Sequence, residues 1–210
     1  MKQLILIILV IPLLASCAGT GQYGIVNVPE QDVSFMSPPS NWERLFFTST
    51  SEMPTGEVLP VKIFIASWKN NNSSTIQIMG GDISETKGRE AREALIPGES
   101  LKYGLHMHVA DLGKLYGTAD YTITSETSGT MQEGNTFTAI EADIVCTSSG
   151  SEDMVKLKTV LYSLESSIYF YTLQFLAIDQ FFDKDKIVFQ QLLDSISFDG
   201  HNSTNLKTGN

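Results

Sequence analysis

His106 and His108 have a spacing that would let two imidazoles meet at one metal ion. In a β-strand, residues two positions apart lie on the same face, so both rings would point the same way, with Asp111 nearby in the sequence. Zinc and copper sites usually need three or four protein ligands, and this stretch offers fewer. The alternative is two solvent-facing histidines beside a core methionine, Met107. We therefore assign no metal ligand, and keep metal binding by His106 and His108 as an alternative.

Cys146 is a second candidate, because a thiolate is a strong nucleophile. A nucleophilic cysteine needs a neighbouring base or cation that lowers its pKa, and no local motif supplies one. Cys146 instead alternates with three apolar residues, Ile140, Ala142 and Ile144. That pattern predicts a buried thiol in the core of the domain.

Two carboxylates, Glu141 and Asp143, would share one face of the same strand and could imitate an acid–base pair. We expect them on the solvated side of an amphipathic strand. The sequence contains no G-x-S-x-G nucleophile motif and no P-loop, and no dinucleotide-binding glycine motif lies between a strand and a helix. We therefore predict no catalytic residue and no cofactor, and we expect that the protein is not an enzyme.

A group of aromatic residues near the C-terminus could line a groove for a lipid or a peptide. Its members are Tyr169, Phe170, Tyr171, Phe175, Phe181 and Phe182. Aromatic side chains at such spacing more often form a core, and this is our expectation. The alternative is a carrier of a small hydrophobic ligand.

The N-terminal residues have the layout of a secretory signal peptide. Lys2 supplies the positive charge, Leu4 to Leu14 form the apolar segment, and the small residues Ala15 and Ser16 precede Cys17. The apolar segment of about ten residues is shorter than the roughly 20 that a membrane-spanning helix needs. The sequence therefore predicts export.

The run Leu14-Ala15-Ser16-Cys17 resembles the lipobox of bacterial lipoproteins. The resemblance implies cleavage before Cys17, attachment of palmitate and other acyl chains there, and anchoring of the protein to the membrane lipid. Stable anchoring takes more than one chain, which lipoproteins of this type carry. Ala18, where inner-membrane lipoproteins have aspartate, implies the outer membrane, facing the periplasm, if the cell is Gram-negative.

The composition excludes some partners. The 210 residues include 24 acidic and 14 basic side chains, and the formal net charge of −10 does not suit nucleic acid. Of the two cysteines, the lipobox would use Cys17, so Cys146 has no intramolecular partner for a disulfide. The core must therefore hold together by packing.

We divide the chain into four parts. Residues 1–16 are a signal peptide, 17–31 a glycine-containing flexible tether, 32–198 a folded domain, and 199–210 a disordered polar tail. A tether of some 14 residues would span about 20 Å.

The folded part reads mostly as strands. The predicted strands cover Val58 to Trp68, Thr75 to Met79, part of Lys114 to Ser125, Phe137 to Thr147, Met154 to Leu164, and Ser167 to Ile178. The cluster from Asn70 to Ser74 is a predicted hairpin loop. Short polar loops between these runs favour an antiparallel meander.

Two segments read as helices. The first runs from Ser84 to Ile96. The second lies near the C-terminus, and its predicted N-cap is Asp179 or Asp183. Its apolar residues recur at helical spacing; these apolar residues are Phe182, Phe189, Leu192, Leu193 and Ile196. The fold class is therefore α+β, an antiparallel sheet packed against helices.

The two ends of the domain resemble Mog1/PsbP-like domains. The opening run is Phe35-Met36-Ser37-Pro38-Pro39-Ser40-Asn41-Trp42, and the closing run leads from Tyr169-Phe170-Tyr171 through Phe181-Phe182 to Ile196-Ser197-Phe198. The resemblance implies a Mog1/PsbP-like α+β fold and, since most such proteins bind or assemble others, a non-enzymatic role with a partner protein in the cell envelope. Fold alone does not name that partner.

Overall fold

The computed structural model describes residues 24–28, 33–52, 58–82, 99–130, 136–148, 150, 153–165 and 169–198. Four expectations fall outside these residues: the signal peptide 1–16, the lipid site at Cys17, the helix from Ser84 to Ile96, and the disordered tail 199–210.

Ten strands and two helices occur within the described ranges. The strands are β1 (Ile25–Val28), β2 (Val33–Met36), β3 (Trp42–Glu52), β4 (Val58–Asn70), β5 (Thr75–Asp82), β6 (Gly117–Thr130), β7 (Thr136–Ser148), β8 (Met154–Glu165), β9 (Tyr169–Ile178) and β10 (Ser197–Phe198). The helices are α1 (Glu99–Tyr116) and α2 (Asp179–Asp194).

Seven strands form one antiparallel sheet in the order β3-β4-β5-β9-β8-β7-β6, and β1, β2 and β10 form a small second sheet. The predicted hairpin of β4 and β5 is confirmed, and β9 is the central strand, as its apolar run predicted. The meander is interrupted once, because β9 returns to pair with β5. The α+β class is confirmed.

The large sheet is covered on both faces. One face packs against α2 and the small sheet, and its core includes Phe64, Trp68, Phe175, Phe189 and Leu192. The opposite face packs against α1, where alternate residues of β7 are buried, as their periodicity predicted; they are Ile140, Ala142, Ile144 and Cys146.

One sequence prediction about secondary structure is wrong in part, and one helix was not predicted. Residues 17–31 were expected to form a flexible tether, yet Ile25–Val28 pairs with β2 because Val26 and Val28 reach the core. Residues Glu99–Tyr116 form the helix that was not predicted. Its buried stripe of Leu101, Leu105 and Leu112 packs on the sheet and stabilises it.

The N-cap prediction for α2 is also wrong. Ile178 is the N-cap and makes no side-chain capping bond, whereas Asp179 lies in the first turn. A carboxylate there is still favourable because it faces the positive end of the helix dipole. The helix ends at Asp194, so Ile196 packs against the core from beyond it.

Candidate functional site

His106 and His108 lie on α1 rather than on a strand. Two residues apart on a helix are separated by about 200° around the axis, so the two side chains point to different faces. His106 is exposed, whereas His108 is half-buried. The alternative of a metal site shared by these two histidines is therefore wrong. Among the described residues, no three His, Cys, Asp or Glu side chains are grouped to hold a metal ion.

Burial disfavours the protonated form of His108. Burial lowers its pKa below the ordinary value of 6.5, and the nearby Asp111 carboxylate opposes this shift only in part. Its Nε2 is buried and has no hydrogen-bond partner among the residues that the structure describes. Asp111 itself is paired with Lys114 at 2.7 Å, so its charge is partly neutralised.

Cys146 is a fully buried free thiol between the sheet and α1. Burial raises the pKa of this thiol, which keeps it protonated and weakly nucleophilic. The prediction of a core cysteine is confirmed.

Glu141 and Asp143 share one face of β7, as predicted, but their surroundings differ. Asp143 is exposed, whereas Glu141 is half-buried and its carboxylate forms an ion pair with Lys186 of α2. The Lys186 ammonium also lies 5.1 Å from the ring centroid of Phe182. Glu141 therefore joins the sheet to the helix, a structural role that the sequence did not reveal.

The C-terminal aromatic residues mostly form core. Tyr171, Phe175 and Phe182 are buried, and the ring centroids of Phe175 and Phe182 are 5.4 Å apart. Phe170 and Phe181 are half-buried, and the side chain of Tyr169 is not among those that the structure describes. Because these rings pack on one another, their arrangement argues against a ligand site between β9 and α2.

The solvent-facing side of α1 exposes large side chains and carries few charges. Tyr103 and Met107, one turn apart, are 67% and 43% exposed. His106 and Ala110 are exposed beside them, and we name these four residues the Tyr103 face. No charged residue occurs from position 103 to 110. An exposed, uncharged helix face of this kind is a candidate interaction surface.

Gly104, which has no side chain, leaves the helix backbone accessible next to this surface. A Cβ built on Gly104 would have no atom within 4 Å, so the helix is open there. The Tyr103 face was not predicted, because no helix was assigned to this region and His106 and His108 were considered only in a strand geometry. The spacing of Tyr103 and Met107, four positions apart, is the signal that could have indicated it.

Within the described residues, neither helix combines the length and the hydropathy needed to cross a membrane.

Comparison with known proteins gives one kind of match. No protein-family model and no curated protein match the chain. Among solved structures, the chain is similar to the solution structure of cyanobacterial PsbP (CyanoP) from Synechocystis sp. PCC 6803, with a TM-score of 0.52 and 12% sequence identity over 88% of this chain and 98% of that one. At this identity the likeness shows the fold: the chain has a PsbP-like α+β fold.

Proposed function

We propose that this chain is a lipid-anchored, non-enzymatic factor that binds, or helps to assemble, a protein of the cell envelope. The lipobox-like run ending at Cys17 supports the anchor, and Ala18 supports the periplasmic side of an outer membrane. The PsbP-like fold is compatible with a binding role. The observation that carries the proposal is the exposed, uncharged Tyr103 face of α1.

The Tyr103 face has the chemistry of the centre of a protein interface. Tyrosine and methionine are enriched in such centres, whereas charged residues are depleted. Tyr103 offers an aromatic ring with a hydroxyl at its end, which suits a partly wet surface. The partner surface should therefore be apolar and uncharged, with a hydrogen-bonding group opposite the tyrosine hydroxyl.

One ion pair lies at each end of this surface. Lys102, one residue before it, pairs with Glu126 of β6 at 3.1 Å. Asp111 and Lys114 form the pair that follows it. These charges would form a polar rim, which adds little affinity but limits where a partner can bind.

A photo-crosslinking experiment tests the docking surface. The amino acid p-benzoylphenylalanine is placed at position 103 in cells, and at Met154 as a control, since Met154 is 63% exposed and lies on β8. We expect an envelope protein to form an adduct from position 103 alone. The same adducts from both positions, or none from position 103, would contradict the proposal.

A variant measures the energy of the interaction. The double substitution Tyr103→Ser and Met107→Ser should weaken capture of the crosslinked partner by tenfold or more, because two central anchors are removed. The control is Met154→Ser. Unchanged circular dichroism shows that both variants fold, and full capture by the double variant would argue against this surface.

The anchor is tested separately by labelling cells with radioactive palmitate. We expect labelling of the native chain and none of Cys17→Ala. Equal labelling of both would overturn lipidation at Cys17.

A further inference from the structure

The small sheet has one buried face and one exposed face. Val28, Val33 and Phe35 point into the core. On the opposite face, Ile25 of β1 and Met36 of β2 are directly paired, and they are 73% and 41% exposed. An isoleucine and a methionine side by side on the outside of a short sheet form a small apolar surface, which we name the Ile25–Met36 pair.

The rest of this exposed face carries no charge among its described residues. Asn27 pairs with Ser34, and Ser34 pairs with Ser197 of β10. The chain as a whole has a net charge of −10, so an uncharged face is a distinct part of its surface. Acidic side chains would be repelled by anionic lipid headgroups, and the described residues of this face include none.

The distance to the proposed lipid is short. The chain from Cys17 reaches Ile25, the first residue of β1, after seven intervening residues. Fully extended, this segment reaches at most about 28 Å, and as a flexible coil it spans roughly 15 Å. Because the folded part begins at Ile25 rather than at residue 32, the segment that joins it to Cys17 is about half as long as the tether expected from the sequence.

We propose that the Ile25–Met36 pair contacts the surface of the membrane that anchors the chain. This inference rests on the proposed lipid at Cys17. With the anchor in place, contact between the pair and the bilayer becomes an intramolecular event with a high effective concentration, so two apolar side chains are enough to orient the domain. The lipid holds the protein at the membrane, and the pair determines which end of the domain faces it.

The orientation that follows is specific. The Met36 backbone N–H donates a hydrogen bond to Ser195 Oγ at 2.7 Å, so the pair lies at the C-terminal end of α2. The 16-residue helix is about 24 Å long. At its other end, Asp179 pairs with Lys158 at 3.1 Å, and Met154 begins the same strand four residues earlier. Met154 therefore faces away from the membrane.

Lipid crosslinking tests this orientation. Residues 17–210 are coupled through Cys17 to a maleimide lipid in phosphatidylethanolamine–phosphatidylglycerol vesicles. The fully buried Cys146 is shielded from the reagent. The chain carries p-benzoylphenylalanine at position 25, 36 or 154, and lipid adducts are counted by mass spectrometry. We expect at least fivefold more adducts from positions 25 and 36 than from 154.

The adduct yields at the three positions distinguish an oriented domain from one that tumbles freely. Equal yields at the three positions would mean that the domain tumbles freely on its tether and would overturn it, and so would a higher yield at 154. A second variant, Met36→Asp with the crosslinker at 25, should reduce the adducts to the level of position 154. Because the lipid is supplied chemically, these results do not depend on whether the cell lipidates Cys17, which the palmitate labelling tests.

Discussion

Ser74 Oγ donates a hydrogen bond of 2.6 Å to Asp185 Oδ2 and joins the β4–β5 turn to the middle of α2. The same oxygen accepts bonds from Asn70 Nδ2 at 2.8 Å and from Asn72 Nδ2 at 3.2 Å. Asp185 is buried, and a buried carboxylate is tolerated only where donors replace its water. The Asp185 side chain therefore holds the polar β4–β5 turn against α2.

Replacing Asp185 with alanine should lower the free energy of unfolding by about 3 kcal/mol, because the buried donors of Asn70 and Ser74 lose their acceptor. Urea unfolding with an unchanged m-value measures this loss. The matched control is Asp183→Ala, an exposed acid on the same helix, which should change stability by less than about 0.5 kcal/mol. Equal effects of the two substitutions would contradict a specific role of Asp185.

Two glycines should respond to alanine in opposite directions. A Cβ on Gly80 would lie 2.3 Å from the backbone oxygen of Phe170, so Gly80→Ala should destabilise the protein by about 3 kcal/mol. Gly104 has open space on α1, and alanine there should stabilise the helix by up to about 1 kcal/mol. Thermal unfolding of the two variants checks the sign of each change.

Burial of His108 predicts a stability that falls in acid. Since its pKa is lowered in the folded state, the unfolded chain binds the proton more readily, and stability is lost as the pH falls below about 6.5. His108→Gln should lose this part of the pH dependence, measured as the free energy of unfolding between pH 7.5 and 5. His106→Gln, at an exposed position, is the control and should keep the dependence. An unchanged pH profile in His108→Gln would contradict the prediction.

The Cys146 thiol should be unreactive in the native protein, because burial both shields it and raises its pKa. In a Cys17→Ser chain at pH 8, we expect labelling by a thiol reagent to be at least a hundredfold slower than in guanidinium chloride. Fast labelling of the native chain would show that the core around β7 opens readily.

Strand prediction succeeded where the sequence pattern and the three-dimensional packing coincide. The alternation from Ile140 to Cys146 survives in the structure because one face of β7 meets α1. The hairpin loop from Asn70 to Ser74 was predicted for a related reason, since its asparagines and serines favour turns locally. Each of these two signals is local, because its residues lie within a few positions of one another in the sequence.

The two elements that were not predicted, α1 and β1, depend on contacts between residues that are distant in the sequence. Glu99–Tyr116 contains two glycines and two histidines, which weaken the helical pattern, and Leu101, Leu105 and Leu112 are buried only because the large sheet provides the surface beneath them. Ile25–Val28 is too short to be recognised alone and forms because β2 lies beside it.

By itself, the sequence determined the lipobox-like N-terminus, the acidic charge, the lack of a disulfide pair, most of the strands and the α+β class. These follow from residue type and local periodicity, which need no distant partner. Only the tertiary structure decided that His106 and His108 point apart, that β9 returns to β5, that Asp185 holds the β4–β5 turn, and that Tyr103 and the Ile25–Met36 pair stay exposed. Each of these depends on which elements pack together, since packing determines which side chains are buried and which meet a partner.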